Sequence, residues 1–204
     1  MQFKTKRKGV RILTPVLAIF LAFTFLGANK NCPLTGQATD AQTKKLNWLM
    51  NRASLPTDRE IDKEISLESL LNSKDSAGLF SDRYAATVEG FVYSFEEGKA
   101  ASCNCFSNDK MNWDYILYLS KDGKAKELSD CALVSITPAS RRLHPNWTPE
   151  YLKSLKGKQI KVTGWMLYNF PETRLSYESH PNALKLERHT AWEIHPVTDM
   201  KIDE

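Results

Sequence analysis

The chain has little from which to build a metal centre: four cysteines and four histidines in 204 residues, and no second Cys or His pair of the kind a zinc ribbon needs. Cys103 and Cys105 sit one residue apart, while the histidines at 144, 180, 189 and 195 are scattered. An Asp-Gly-Asp-like run is missing too, although a Ca²⁺-dependent nuclease needs clustered carboxylates and an arginine aimed at phosphate. No metal site and no cofactor are expected. Net positive charge beyond the first 28 residues is also absent. The formal charge is +4, but Met1–Ala28 holds five of the 28 basic residues and no acidic one, which leaves 23 basic against 24 acidic residues and a net charge of −1. Nucleic-acid affinity rests mainly on phosphate neutralisation by Lys and Arg, so charge does not support nucleic acid as a partner. The dense basic clusters, Arg141–Arg142 and the lysines at 153, 156, 158 and 161, read as a solvated face.

Long apolar runs are limited to one, Ile12–Ala28, preceded by Lys4, Lys6, Arg7, Lys8 and Arg11. That pattern is an export signal, with the basic residues retained in the cytoplasm. Its 17 residues meet the lower edge of what spans a bilayer, so a cleaved signal peptide and a retained membrane anchor are both open. A small-x-small cleavage site is poorly formed, because Leu26 lies two before Ala28. Cys32 stands near where a lipidated cysteine would, yet Lys30 and Asn31 replace the small apolar residues expected before one. The expected organisation is a signal or anchor over 1–28, a linker with short helical segments over 29–80, and one domain over 81–204. Within the linker, 29–43 reads as a flexible tether, 44–53 as a short helical turn, and 58–71 as a segment that packs on the domain.

The domain is mainly β. Ala85–Phe95 is rich in β-branched and aromatic residues, with Gly90 where a long first strand must bend. Asp114–Ser120 and Cys131–Thr137 read as the second and third strands, with a turn at Lys121–Lys124 between them. Thr148 and Pro149 start a helix that Gly157 stops. In the fourth strand Ile160, Val162, Gly164 and Met166 share one face, and Lys161, Thr163, Trp165 and Leu167 the other. Thr190–Val197 is the fifth, ended or kinked by Pro196. Five strands with a helix between the third and fourth predict a five-stranded OB-like β-barrel. The insert Asn169–His189 has no period and is long enough to be a binding loop.

Val88-Glu89-Gly90, Ser102-Cys103-Asn104-Cys105, Thr137-Pro138, Gly157-Lys158 with Val162-Thr163-Gly164-Trp165, and Trp192-Glu193-Ile194-His195-Pro196-Val197 together resemble a group of uncharacterised exported bacterial proteins with an OB-like core. The resemblance covers about Phe80 to Met200, and WEIHPV is its most specific piece. It implies fold and export, and no catalytic assignment. That pattern has an acid followed closely by a histidine in the second strand, where this chain has Asp114, Tyr115 and Ile116, a departure that weakens any metal role.

Among residues able to carry chemistry, Cys103 or Cys105 is expected to pair with Cys131 in an oxidising compartment, with free thiols and metal binding as the alternatives. Glu193 and His195 fall two apart on one face of the last strand, where they can act as an acid/base pair or as ligands. The plainer reading has them satisfying loop backbone groups at the barrel mouth while Trp192 and Ile194 fill the core. Rings at Tyr93, Tyr115, Tyr118, Trp165 and Tyr177 are the candidates for a ligand-binding face, since exposed rings stack on bases or sugars. The functional expectation is a non-enzymatic binding module of the bacterial cell envelope, periplasmic or at the cell surface. It is attached to the membrane through its N-terminal segment or secreted, and it binds an oligonucleotide, a glycan or an envelope protein. The alternative is a metal-assisted phosphodiesterase or nuclease using Glu193, His195 and Asp114.

Overall fold

The computed structural model describes residues 32–73 and 75–203; the signal or anchor expected over 1–28 lies outside them. Helix α1, Ala41–Met50, starts where the Asp40 side chain accepts a hydrogen bond from the Thr43 amide at 2.8 Å, an N-cap that meets one of the free donors of the first turn. It buries Leu46 and Leu49 against Leu167. The short α2, Leu67–Leu71, is held by reciprocal bonds between Ser66 and Ser69 and places Leu67 and Leu70 in the main core. Residues 32–43 are not the free tether expected. Cys32 is disulfide-bonded to Cys105, the Gln37 amide donates to the Ser102 carbonyl at 2.9 Å, and a Cβ on Gly36 would meet that carbonyl oxygen at 1.9 Å. A polar, aperiodic segment was thus ordered by a covalent link and close backbone contact that composition does not reveal.

The barrel strands are β1 (Ala85–Glu97), β2 (Tyr115–Ser120), β3 (Ala132–Ile136), β4 (Gln159–Tyr168) and β5 (Trp192–Ile202). They close in the order β1-β2-β3-β5-β4. Only β3 and β5 run parallel; the other pairs are antiparallel. Closure depends on the length of β1, which pairs with β4 from Ala85 to Phe91 and with β2 from Phe91 to Glu97. The change of partner falls beside Gly90, where a Cβ would run into the Leu67 side chain at 2.5 Å. This is the bend the glycine announced.

Two short helices lie between β3 and β4. The unforeseen α3, Pro138–Leu143, is capped by Thr137 and pinned where Ser140 Oγ donates to the Val197 carbonyl at 2.6 Å. Helix α4, Pro149–Ser154, begins at Thr148 as the sequence indicates and drives Leu152, with Leu155 just beyond it, into the core. The alternation of β4 also holds: Ile160, Val162 and Met166 face the core. Its outer face is covered over its second half by α1 and the segment after it. The fifth strand does not stop at Pro196 but continues to Ile202. The irregular pairing opposite Gly164 accommodates the proline, and a Cβ at Gly164 would meet Ile194 and the Pro196 carbonyl at 2.5 Å. The architecture is that of a closed five-stranded OB barrel.

Candidate functional site

Period-two alternation and strand register assemble one patch on the outer barrel surface. Ile116 pairs with Ser135, Tyr118 with Leu133, and Leu133 in turn with Glu193 on β5. His195, two residues on, shares the face of Glu193. Two loops fold over this patch: the β1–β2 connection, 98–114, and the β4–β5 connection, 169–191. Between them lies a cleft of about 250 Å³ lined by residues of both loops and of β1, β2, β3 and β5. A cavity of about 330 Å³ exists elsewhere, beneath α1, lined by Phe80, Tyr168, Phe170 and Trp192, but it holds no comparable cluster of buried charges.

At the floor of the cleft four side chains form a charge chain. Arg188 Nη1 donates to Glu193 Oε2. Glu193 Oε1 accepts from His195 Nδ1 at 2.9 Å and from Asn169 Nδ2 at 3.3 Å. Asp114 Oδ2 then lies 3.4 Å from His195 Nε2. Arg188, Glu193 and His195 are buried, whereas Asp114 is partly open to the cleft. Unpaired charges at such depth would be costly, and pairing changes their titration. Burial pulls the His195 imidazolium down, but Asp114 and Glu193 outweigh it and hold its pKa up at about 9. Burial likewise raises the Glu193 carboxyl, and Arg188 and His195 more than reverse it, so it lies below its ordinary value. At neutral pH the chain is therefore two cations and two anions in alternation. The Asp114 contact has the distance of a charge pair without the alignment of a hydrogen bond, and His195 Nε2–H has no hydrogen-bond partner among the described residues.

The three residues of the metal-assisted alternative do converge, with Glu193 and His195 already engaged by neighbouring side chains. Both Glu193 oxygens and His195 Nδ1 are taken by neighbours. Among the described residues no group of three His, Cys, Asp or Glu side chains is arranged to hold a metal ion. Nor do Glu193 and His195 serve loop backbone groups, as the plainer reading had it; their partners are side chains.

The expected ring platform is largely absent. Tyr115 is inside the barrel, edge-on to Phe95, with the Arg141 guanidinium 3.9 Å from its ring centre. Trp165 lies under the segment after α1, its Nε1 donating to the Ser54 carbonyl at 2.8 Å and Arg52 stacked on its ring. Tyr118 does line the cleft but is 3% exposed, with its hydroxyl on Glu96 at 3.2 Å. Tyr93 is half-buried and donates to the Lys126 carbonyl. Tyr177 is exposed, yet stacks on His189 and does not line the cleft. Alternation placed these rings on strand faces; it could not show which faces receive a second layer.

The cysteine expectation is corrected as well. Cys105 pairs with Cys32, and Cys103 and Cys131 are free thiols. In the antiparallel β2–β3 pair, Tyr115, where the cysteine-bearing loop enters β2, sits opposite Ile136, whereas Cys131 precedes Ala132 at the other end. Cys103 lines the cleft. Burial, reinforced by Asp114, pushes its thiol up to about 12, which keeps it protonated at neutral pH.

Arg188, Asn169 and Asp75 escaped sequence reasoning. Asp75 clamps the β4–β5 loop: it accepts from Ser179 Oγ at 2.6 Å, Thr190 Oγ1 at 2.8 Å and the Ala191 amide at 2.6 Å, and also from Ser176. Neither Asp75 nor Arg188 lies in a periodic segment, so no pattern marks them.

No protein-family model and no curated protein matches the chain. Among solved structures it is similar to an asparaginyl-tRNA synthetase of Entamoeba histolytica, over 64% of this chain and 22% of that one, at 18% identity and a TM-score of 0.32. It is also similar to that enzyme in complex with asparaginyl-adenylate, over 64% and 23%, at 17% identity and a TM-score of 0.31. The chain spans less than a quarter of the length of these structures, and the fold assignment stands on strand order.

Proposed function

We propose that this protein is a non-enzymatic OB-fold binding module of the bacterial cell envelope, tethered or released through its N-terminal segment, with its ligand seat in the cleft over β2, β3 and β5. The observation that carries the reading is His195: a buried imidazole held between two carboxylates, with no acceptor aligned on its Nε2–H at the floor of a loop-covered cleft. A buried donor without an aligned acceptor is a cost that a ligand acceptor removes. The envelope location is supported by the basic residues preceding a single apolar run and by the Cys32–Cys105 disulfide, which suits an oxidising compartment. Kinship with the WEIHPV-containing exported proteins belongs to the same proposal.

Oligonucleotides fit the cleft poorly. Six of its lining residues are carboxylates, against Lys99, Arg188 and His195 as cations, and the rings that would stack on bases are turned away. The convergence of Asp114, Glu193 and His195 is also what a metal-assisted phosphodiesterase needs, and the two readings separate by experiment. Purified full-length protein is expected not to turn over bis(p-nitrophenyl) phosphate with Mg²⁺ or Ca²⁺. Hydrolysis abolished by His195→Ala at an unchanged melting temperature would put the enzyme in place of the binding module. A photoreactive residue at Lys99 in the cleft should give a discrete adduct in living cells, and one at Lys158 should not. A reporter fused after Glu204 should be active only outside the cytoplasm.

A further inference from the structure

We infer that the cleft seats a basic peptide segment of a partner protein: Lys or Arg side chains meet Glu96 and Glu172, and a main-chain carbonyl accepts from His195 Nε2–H. This deepens the binding-module reading and rests on it. Three features of the site converge on that ligand.

The first is charge. With Arg188 balancing Glu193 and His195 balancing Asp114, the remaining charged lining residues are Glu96, Glu97, Glu172 and Glu187 against Lys99. Glu97 is engaged by Lys110 at 2.9 Å, and Glu187 by Lys185. Glu96 and Glu172 have no ion-pair partner among the described residues; Glu96 accepts only the neutral Tyr118 hydroxyl. An acidic ligand meets repulsion here and a cation does not.

The second is the unmet donor. His195 is 3% exposed and lines the cleft, and its Nε2–H, charge-paired with Asp114 Oδ2 at 3.4 Å, has no acceptor aligned on it, while Asp114, partly open to the cleft, offers an acceptor. An adjacent donor and acceptor match the carbonyl and amide of a peptide main chain.

The third is the lack of an open ring. Tyr118, the aromatic residue lining the cleft, is buried, so neither a base nor a sugar finds a stacking face. A peptide needs none when charge and main-chain bonds hold it.

The test uses the full-length protein and a fluorescent tetralysine peptide, followed by anisotropy. Tetralysine should bind, with affinity falling as salt rises, and its Nε-acetylated form and tetraglutamate should not. Glu96→Gln and Glu172→Gln should each weaken binding about two- to fivefold, the range of exposed ion pairs, while Glu64→Gln, remote from the cleft, changes nothing. Equal binding of the acetylated peptide, or indifference to both glutamine variants, overturns the inference. If a chito-oligosaccharide or oligothymidylate binds, the photoreactive Lys99 variant attaches to it and tetralysine fails, the ligand class is wrong and the binding module stands. If no probe binds and Lys99 captures nothing in cells, both fall.

Discussion

The imidazolium of His195 makes stability depend on alkaline pH in a way that can be worked out from its surroundings. Its folded pKa is about 9, against roughly 6.5 in an unfolded chain. Because the folded value is raised, the contribution is fully present below about pH 6.5, where both states bind the proton. Between about 6.5 and 9 only the folded state holds it, so each pH unit removes about 1.4 kcal/mol, roughly 3 kcal/mol in all. The group is buried, so solvent screening does not reduce the effect as it would at the surface. Urea unfolding followed by tryptophan fluorescence, at half-unit steps from pH 6 to 9.5, should trace that decline. His195→Gln should be the less stable protein at pH 6 and should approach wild type by pH 9. Above about pH 8.5 the free thiols of Cys103 and Cys131, both raised to about 12, add a decline of the same sign. They are common to both proteins and cancel in the difference. A difference between wild type and His195→Gln that stays constant with pH would refute the assignment of His195 as a buried imidazolium.

Glu193→Gln removes the anion that two buried cations share, and breaking such a pair costs about 3–5 kcal/mol; the midpoint of urea unfolding measures it, and a loss under 1 kcal/mol would show the chain to be poorly coupled. Cys105→Ser opens a loop whose ends are 73 residues apart, for which chain entropy gives about 4 kcal/mol. Non-reducing peptide mapping should recover Cys32 linked to Cys105, with Cys103 and Cys131 free, and a link to Cys131 would overturn that connectivity. Asp75→Asn weakens the clamp on the β4–β5 loop, so amides 176–191 should exchange faster while those of β1 and β4 keep their rates. Uniform acceleration would instead indicate global destabilisation.

Much of the barrel was legible in the chain because period-two alternation, capping residues and glycine positions act locally. Ile160, Val162 and Met166 against Lys161 and Thr163 placed β4, Thr148–Pro149 placed α4, and Trp192 and Ile194 against Glu193 and His195 oriented β5. The remaining features arise between segments distant along the chain. Arg188 meets Glu193 from an aperiodic loop, Asp75 holds that loop from 101 to 116 residues away, and Cys32 reaches Cys105 across a segment whose composition suggests only a tether. Tyr118 and Trp165 are turned from candidate stacking platforms into covered rings by a second layer of loops and helix. Alternation assigns a side chain to one face of a strand, but whether that face meets water, a ligand or another part of the chain depends on long-range packing, which carries no local signature.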